Sequence, residues 1–205
     1  MARGRRGGAD FYSRKARAGG FPARSVWKLE ELDRRHGLLR GGMDVLDLGA
    51  APGSWALYAR NRVGAAGSVT AVDLQPRPAA LGAPDARLRW LQADLTGNAL
   101  PTELGGRRFH LVLSDAAPAT CGNHAVDAAR SAELVAAVLE LARGHLREGG
   151  KLVAKVLQGE ELPDLLALAR DCFRRVRTAK PAASRGESSE TFLLGFEYFA
   201  GQRKQ

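Results

Sequence analysis

One glycine turn and three aspartates mark where chemistry can occur in this chain. Val45-Leu46-Asp47-Leu48 is a short apolar run ending in Gly49-Ala50-Ala51-Pro52-Gly53, and Ser54-Trp55 then opens a helical pattern. A strand that turns through glycines into a helix builds a nucleotide-sized pocket at its carboxyl end. Gly49 and Gly53 remove side chains where backbone must approach a ligand closely. Pro52 suits the first helical position, where its missing N–H costs nothing. The spacing departs from the dinucleotide pattern G-x-G-x-x-G, which points away from NAD and toward S-adenosylmethionine. The phosphate-cradling G-x-x-x-x-G-K-[ST] is absent, so a kinase of that type is excluded. Three further apolar runs finish in acid: Val69–Val72 at Asp73, Leu88–Ala93 at Asp94, and Leu111–Ser114 at Asp115. Each alone is an ordinary turn residue. Together with the glycine turn they are placed to ring one pocket. Asp73 lies about twenty residues past the glycines, the distance at which a carboxylate accepts both ribose hydroxyls of a nucleoside. Asp94 is placed to accept from an adenine amine. Asp47 is assigned to fixing the turn or to the surroundings of the cofactor's amino group.

Those residues need a sheet to position them. Apolar runs at 43–48, 68–73, 87–92, 109–114, 150–157, 174–180 and 190–199 predict strands. Helical patterns cover about 24–36, 54–62, 127–146 and 160–173. In the first, Val26, Leu29 and Leu32 form an apolar stripe and Gly37 ends the helix. In the third, Ala132, Val135, Val138, Leu139 and Leu146 form the apolar face, closed by Gly149-Gly150. Strand–helix alternation predicts an α/β fold: a mostly parallel seven-stranded sheet with helices on both faces. The expected organisation is a basic, flexible N-terminal arm at 1–23, one domain at 24–200 and a short tail at 201–205.

Composition supports a packed core, with 45% hydrophobic residues in 205. Net charge is +9 and unevenly placed: residues 1–40 hold eleven basic against four acidic side chains, net +7. Phe11, Tyr12, Phe21 and Trp27 interleave with those charges. Cations mixed with stacking rings favour a nucleic-acid partner over a merely solubilising tail. No apolar run is long enough to span a membrane. No signal-peptide core follows the basic start, so a cytoplasmic location is expected. Cys121 and Cys172 show neither a disulfide framework nor metal-ligand spacing, and Cys121 with His124 supplies too few ligands for zinc. No metal is expected, since these residues offer no ligand set.

Five ordered segments carry a family resemblance: Ser25-Val26-Trp27-Lys28-Leu29, Asp47 through Trp55, Ser114-Asp115-Ala116-Ala117-Pro118, Lys155-Val156-Leu157-Gln158-Gly159-Glu160 and Lys180-Pro181-Ala182-Ala183-Ser184-Arg185. Over about residues 10–199 the chain resembles the FtsJ/RrmJ family of S-adenosylmethionine-dependent RNA ribose 2′-O-methyltransferases. The resemblance implies a Rossmann-like class I methyltransferase fold and a catalytic tetrad at Lys28, Asp115, Lys155 and Glu190, with Glu187 the nearby alternative to Glu190. It implies cofactor contacts at Gly53, Trp55, Asp73, Asp94 and Asp115. It further implies a monomeric enzyme acting on a uridine of large-subunit (23S) ribosomal RNA, presented on the ribosomal particle. A tRNA or mRNA-cap ribose methyltransferase shares the tetrad, and a non-catalytic, cofactor-binding ribosome assembly factor is the alternative from another class. The chain departs from the family pattern at Ser54 (commonly glycine), at Ala116 and Ala119 (Asp-Met-Ala-Pro-Asn in the family) and at Ser189 (Arg-Glu in the family).

The implied roles make chemical sense. A ribose hydroxyl must be aligned behind an activated methyl and relieved of its proton. Lys155 can take that proton only as a neutral amine, and a lysine with a pKa of about 10.4 must be shifted down to do so near neutrality. A neighbouring Lys28 and burial both act in that direction, whereas a carboxylate opposes it. Asp115 and Glu190 are therefore expected to position the lysines and the hydroxyl. Lys155 sits amid Leu152, Val153, Ala154, Val156 and Leu157, which marks a buried central strand rather than a solvated end.

Overall fold

The computed structural model describes residues 6–184 and 188–201. At its centre lies β1 (Asp44–Leu48), with β2 (Ser68–Asp73) parallel on one side and β4 (Phe109–Ser114) parallel on the other. β3 (Leu88–Gln92) flanks β2, and β5 (Leu146–Leu157) flanks β4, both parallel. β6 (Phe173–Ala179) and β7 (Glu190–Tyr198) complete the order β3-β2-β1-β4-β5-β7-β6. The chain winds outward from β1 to β3 and then returns to the other side of β1. That reversal opens a crevice beyond the carboxyl ends of β1 and β4.

The sheet is mixed rather than parallel throughout, because β7 runs antiparallel to both β5 and β6. A parallel neighbour needs a long crossover, usually through a helix. Among the described residues the link from β6 to β7 carries no helix, and the chain doubles back to insert β7 beside β5.

Strand alternation divides the core in two. Val45, Ala71, Leu111, Leu113, Val153, Phe192 and Leu194 face α2 (Val26–His36) and α3 (Ser54–Val63). Leu46, Leu48, Val72, Val112, Leu152 and Ala154 face α5 (His124–His145) and α6 (Leu162–Arg170). Leu29 and Leu32 of α2 are fully buried, each burial contributing roughly 1.5–3 kcal/mol. A one-turn helix, α4 (Leu100–Leu104), also joins the second core and gave no periodic signal in the sequence.

Three local expectations are corrected. The first is the N-terminal arm, which carries a helix, α1 (Arg6–Ala18). It is held by tertiary contact: Ala16 is fully buried and the Trp27 indole N–H donates to the Tyr12 carbonyl at 3.0 Å. Residues 1–5 and 202–205, parts of the expected arm and tail, lie outside the described residues. Second, Pro52 is not the first residue of α3. The helix begins at Ser54 with Gly53 as its N-cap, so Pro52 belongs to the turn. Third, β5 starts at Leu146, directly after α5, rather than at 150.

Candidate active site

A cleft of about 310 Å³ opens where the strand order reverses. Asp73, Asp94 and Asp115 supply its acidic wall, as the strand ends implied, and Val72, Leu74, Leu95 and Leu134 supply apolar surface. Asp73 Oδ2 accepts from the Ala51 N–H at 2.8 Å, and Oδ1 accepts from the Gln75 N–H at 2.9 Å. The carboxylate therefore ties β2 to the glycine turn and keeps lone pairs for a ligand. Asp94 Oδ1 accepts from the Thr96 hydroxyl at 2.7 Å and the Thr96 N–H at 2.8 Å, and these bonds hold its carboxyl below the usual range. Both acids thus present carboxylate oxygens held in place by the backbone.

Gly49 forms part of the cleft, but the chain's own packing demands it. Its φ is +70°, and a Cβ there would stand 2.6–2.9 Å from the Cβ, Cα and N of Ala116. Gly53 and Trp55, also expected as cofactor contacts, do not line this cleft. Gly53 is the left-handed cap of α3, where a Cβ would meet Leu81 at 2.5 Å. Because α3 begins at Ser54, Trp55 turns inward. Its ring stacks on Phe192 at 5.9 Å and its indole N–H donates to the Ser25 carbonyl at 2.9 Å. Trp55 thereby braces the start of α2, which carries Lys28.

Asp47 makes no hydrogen bond to the turn. Its side chain is fully buried, and neither oxygen has a partner among the described residues. Burial raises its pKa well above the ordinary carboxylate value, and the neighbouring charges of Asp115 and Asp73 push the same way.

The four tetrad candidates come together on the α2 side of the sheet. Lys155 on β5 stands opposite Phe192 on β7, and Glu190 lies two residues along on the same face. Lys28 Nζ reaches in from α2, 2.7 Å from Glu190 Oε2 and 6.0 Å from the centre of the Phe192 ring. Lys155 Nζ donates to the Asp115 carbonyl at 2.6 Å and lies 2.9 Å from Asp115 Oδ1, off the direction of a hydrogen bond to that oxygen. Both pairs are largely shielded, with 10–17% of each side chain exposed. Each lysine thus has its own carboxylate, an arrangement the sequence did not reveal. Burial pushes the Glu190 pKa up, but the hydrogen bond and charge of Lys28, the Ser184 hydroxyl at 2.9 Å and the charge of Lys155 outweigh it and hold the carboxyl below its usual range.

Ser184 was missed as a site residue, although its segment was visible. Leu134, on α5, was also missed, and an apolar side chain on a long helix gives no signal of a ligand. Arg185 and Glu187 lie outside the described residues.

A family model described as FtsJ-like methyltransferase matches residues 21–198. The chain belongs to the FtsJ-like methyltransferase family. A protein of Treponema denticola named ribosomal RNA large subunit methyltransferase E is 42% identical over 97% of this chain and 99% of its own length. One of the same name from Sorangium cellulosum is 43% identical over 92% of this chain and 87% of its own length. Among solved structures, a Plasmodium falciparum protein described as a ribosomal RNA methyltransferase superposes with a TM-score of 0.74 at 23% identity, covering 89% of this chain and all of the other. Aeropyrum pernix fibrillarin superposes at 0.61 with 16% identity, covering 83% of this chain and 76% of its own; both likenesses establish the fold.

For an FtsJ-like methyltransferase, the cleft's donor set fits S-adenosylmethionine. Apolar side chains from two strand ends and α5 suit a flat base. Asp73 would hold the ribose hydroxyls and Asp94 the adenine amine. Asp115, which lines the cleft, would face the reacting end of the cofactor.

Proposed function

We infer that this chain transfers a methyl group from S-adenosylmethionine to a ribose 2′-hydroxyl of RNA, and that the RNA is that of the large ribosomal subunit. The observation that carries the reaction is the double position of Asp115. It lines the cofactor cleft and also holds Lys155, so a base stands at the edge of the methyl-donor pocket. The names of the curated relatives carry the substrate. The intact tetrad weighs against a non-catalytic assembly factor, and the basic arm suits a polyanion.

When bound, S-adenosylmethionine supplies a methyl already activated by its sulfonium. The chain supplies position and proton removal. Lys28 and Glu190 hold the ribose by hydrogen bonds to its hydroxyl, braced by Ser184. Lys155 is placed to take the 2′-hydroxyl proton as the oxygen attacks in line. Asp115 orients the Lys155 amine and then stabilises the ammonium that forms. Phe192, stacked on Trp55, lies beside the Lys28 ammonium, its ring centre 6.0 Å from Nζ. In this scheme the protein acts as a monomer on RNA within the particle, at a uridine.

The deciding experiment offers radiolabelled S-adenosylmethionine with large subunits from cells lacking this protein, and separately with bare 23S RNA, tRNA and capped RNA. The product is digested to nucleosides. Label in a 2′-O-methyl nucleoside from large-subunit RNA is expected. Label only from tRNA or capped RNA would redirect the substrate, and none from any RNA, with cofactor bound, would favour the assembly-factor reading.

A further inference from the structure

A second cavity of about 310 Å³ lies apart from the cofactor cleft, between α1 and α2. Tyr12 and Lys15 of α1 form one wall, and Trp27, Glu30 and Arg34 of α2 form the other, with Ala183 at one end. Positions 27, 30, 31 and 34 follow helical spacing, so one face of α2 presents a ring, carboxylates and a guanidinium in a row. Lys28, on a different face, points to Glu190.

The cavity abuts the tetrad through one loop. Ala183 donates its N–H to Glu31 at 3.4 Å, and its carbonyl accepts from Arg24 at 3.4 Å. The next residue, Ser184, donates to Glu190, which holds Lys28. A chain lying across this loop therefore reaches both places with adjacent units.

The polar groups of the cavity are not used up. Glu31 is engaged by Arg35 at 2.6 Å, but Glu30 and Arg34 are exposed and make no hydrogen bond or ion pair among the described residues. Lys15 Nζ stands 4.0 Å from the centre of the Trp27 ring, so a base stacking on that face takes the place of the ammonium, which is then free to meet a phosphate. The Trp27 indole N–H is already committed to Tyr12, which leaves its π face as the recognition surface.

An aromatic face beside cations is the chemistry of an unstacked base with its phosphates. A carboxylate only accepts hydrogen bonds, so it selects a base edge made of donors. Guanine offers N1–H and N2–H side by side, matching both carboxylate oxygens. Adenine offers one amine next to the N1 acceptor, which a carboxylate repels. We propose that this cavity seats a guanine flanking the methylated nucleotide, stacked on Trp27 with N1–H and N2–H donated to Glu30, while Lys15 and Arg34 take adjoining phosphates. The assignment rests on RNA being the substrate.

The test uses the full chain, isotopically labelled and saturated with S-adenosylhomocysteine so that adenine nucleotides are kept from the cofactor cleft. GMP and AMP are titrated separately while the Trp27 indole N–H resonance, assigned with Trp27→Phe, is followed. GMP should shift it at about tenfold lower concentration than AMP. Glu30→Gln should erase that preference, and it should raise the KM for RNA more than it lowers kcat. Glu30 is exposed, so this variant keeps the core intact. Equal response to both nucleotides, or an unchanged preference in Glu30→Gln, overturns the proposal. A protein that discriminates GMP but methylates no RNA counts against the reaction proposed above, not against guanine binding.

Discussion

Lys155 and Asp115 join the two halves of the site: Nζ lies 2.9 Å from an oxygen of a carboxylate that also lines the cofactor cleft. In the proposed mechanism the proton acceptor is thereby placed by the same residue that faces the methyl donor. Removing the amine should stop the reaction without emptying the cleft. For Lys155→Ala we expect kcat to fall by about 10²-fold or more, the usual worth of a positioned base. The cofactor Kd should change by no more than a few-fold. Single-turnover methyl transfer and equilibrium dialysis measure the two separately, and near-normal turnover would remove Lys155 from the mechanism.

Asp73 binds the glycine turn through Ala51, and in the proposed mechanism it also holds the ribose hydroxyls. Asp73→Ala should weaken cofactor binding by about 10- to 100-fold, the worth of hydrogen bonds to a charged group. Asp73→Asn keeps one acceptor and should lose less. An unchanged Kd in both variants would contradict the assignment.

Much of this site was legible because the relevant signals are local. The glycine turn and the aspartates at the ends of β2, β3 and β4 follow from strand–turn spacing alone. The tetrad does not. Lys28 and Glu190 are 162 residues apart, and only resemblance paired them before the fold did. The inward turn of Trp55 onto Phe192 was not legible, because only the fold brings residues 55 and 192 together. Helix α1 was hidden because its Arg/Gly-rich opening has no apolar stripe, and contact with Trp27 holds it. The reversal of β7 was invisible because alternation carries no strand direction.

The ion pair of Glu190 with Lys28 makes stability depend on pH with a defined sign. The folded-state pKa is lowered, so the pair's contribution is present above the ordinary glutamate value of 4.5 and is lost as pH falls through the folded value. Glu190→Gln should therefore melt below the wild type at pH 7, and the gap should close in acid. Thermal melts from pH 3 to 7 check this; a gap independent of pH would mean the glutamate contributes shape rather than charge.

Asp47 carries the opposite sign. Its folded-state pKa is raised, so its contribution is fully present below the ordinary value of 3.8 and is lost as pH rises through the folded value. Asp47→Asn cannot ionise. Its Tm relative to wild type should rise steadily as the pH is raised. Any constant offset would reflect the new amide, which brings donors into a site without partners. Parallel Tm curves for the two proteins would show that Asp47 does not titrate in that range.

The basic start of the chain can be separated from helix α1, which begins at Arg6. Deleting residues 1–5 removes Arg3 and Arg5 and leaves the Tyr12–Trp27 contact in place. Each cation that neutralises a phosphate adds about 0.7–0.9 to the slope of log K against log salt. The truncated chain should therefore bind large-subunit RNA more weakly at low salt, with a slope reduced by about 1–2, and should converge with the full chain as salt rises. The effect belongs to association with the backbone, so it should appear equally on unrelated RNA of the same length. Filter binding across a salt series measures it, and an identical slope would reduce these arginines to a solubilising role.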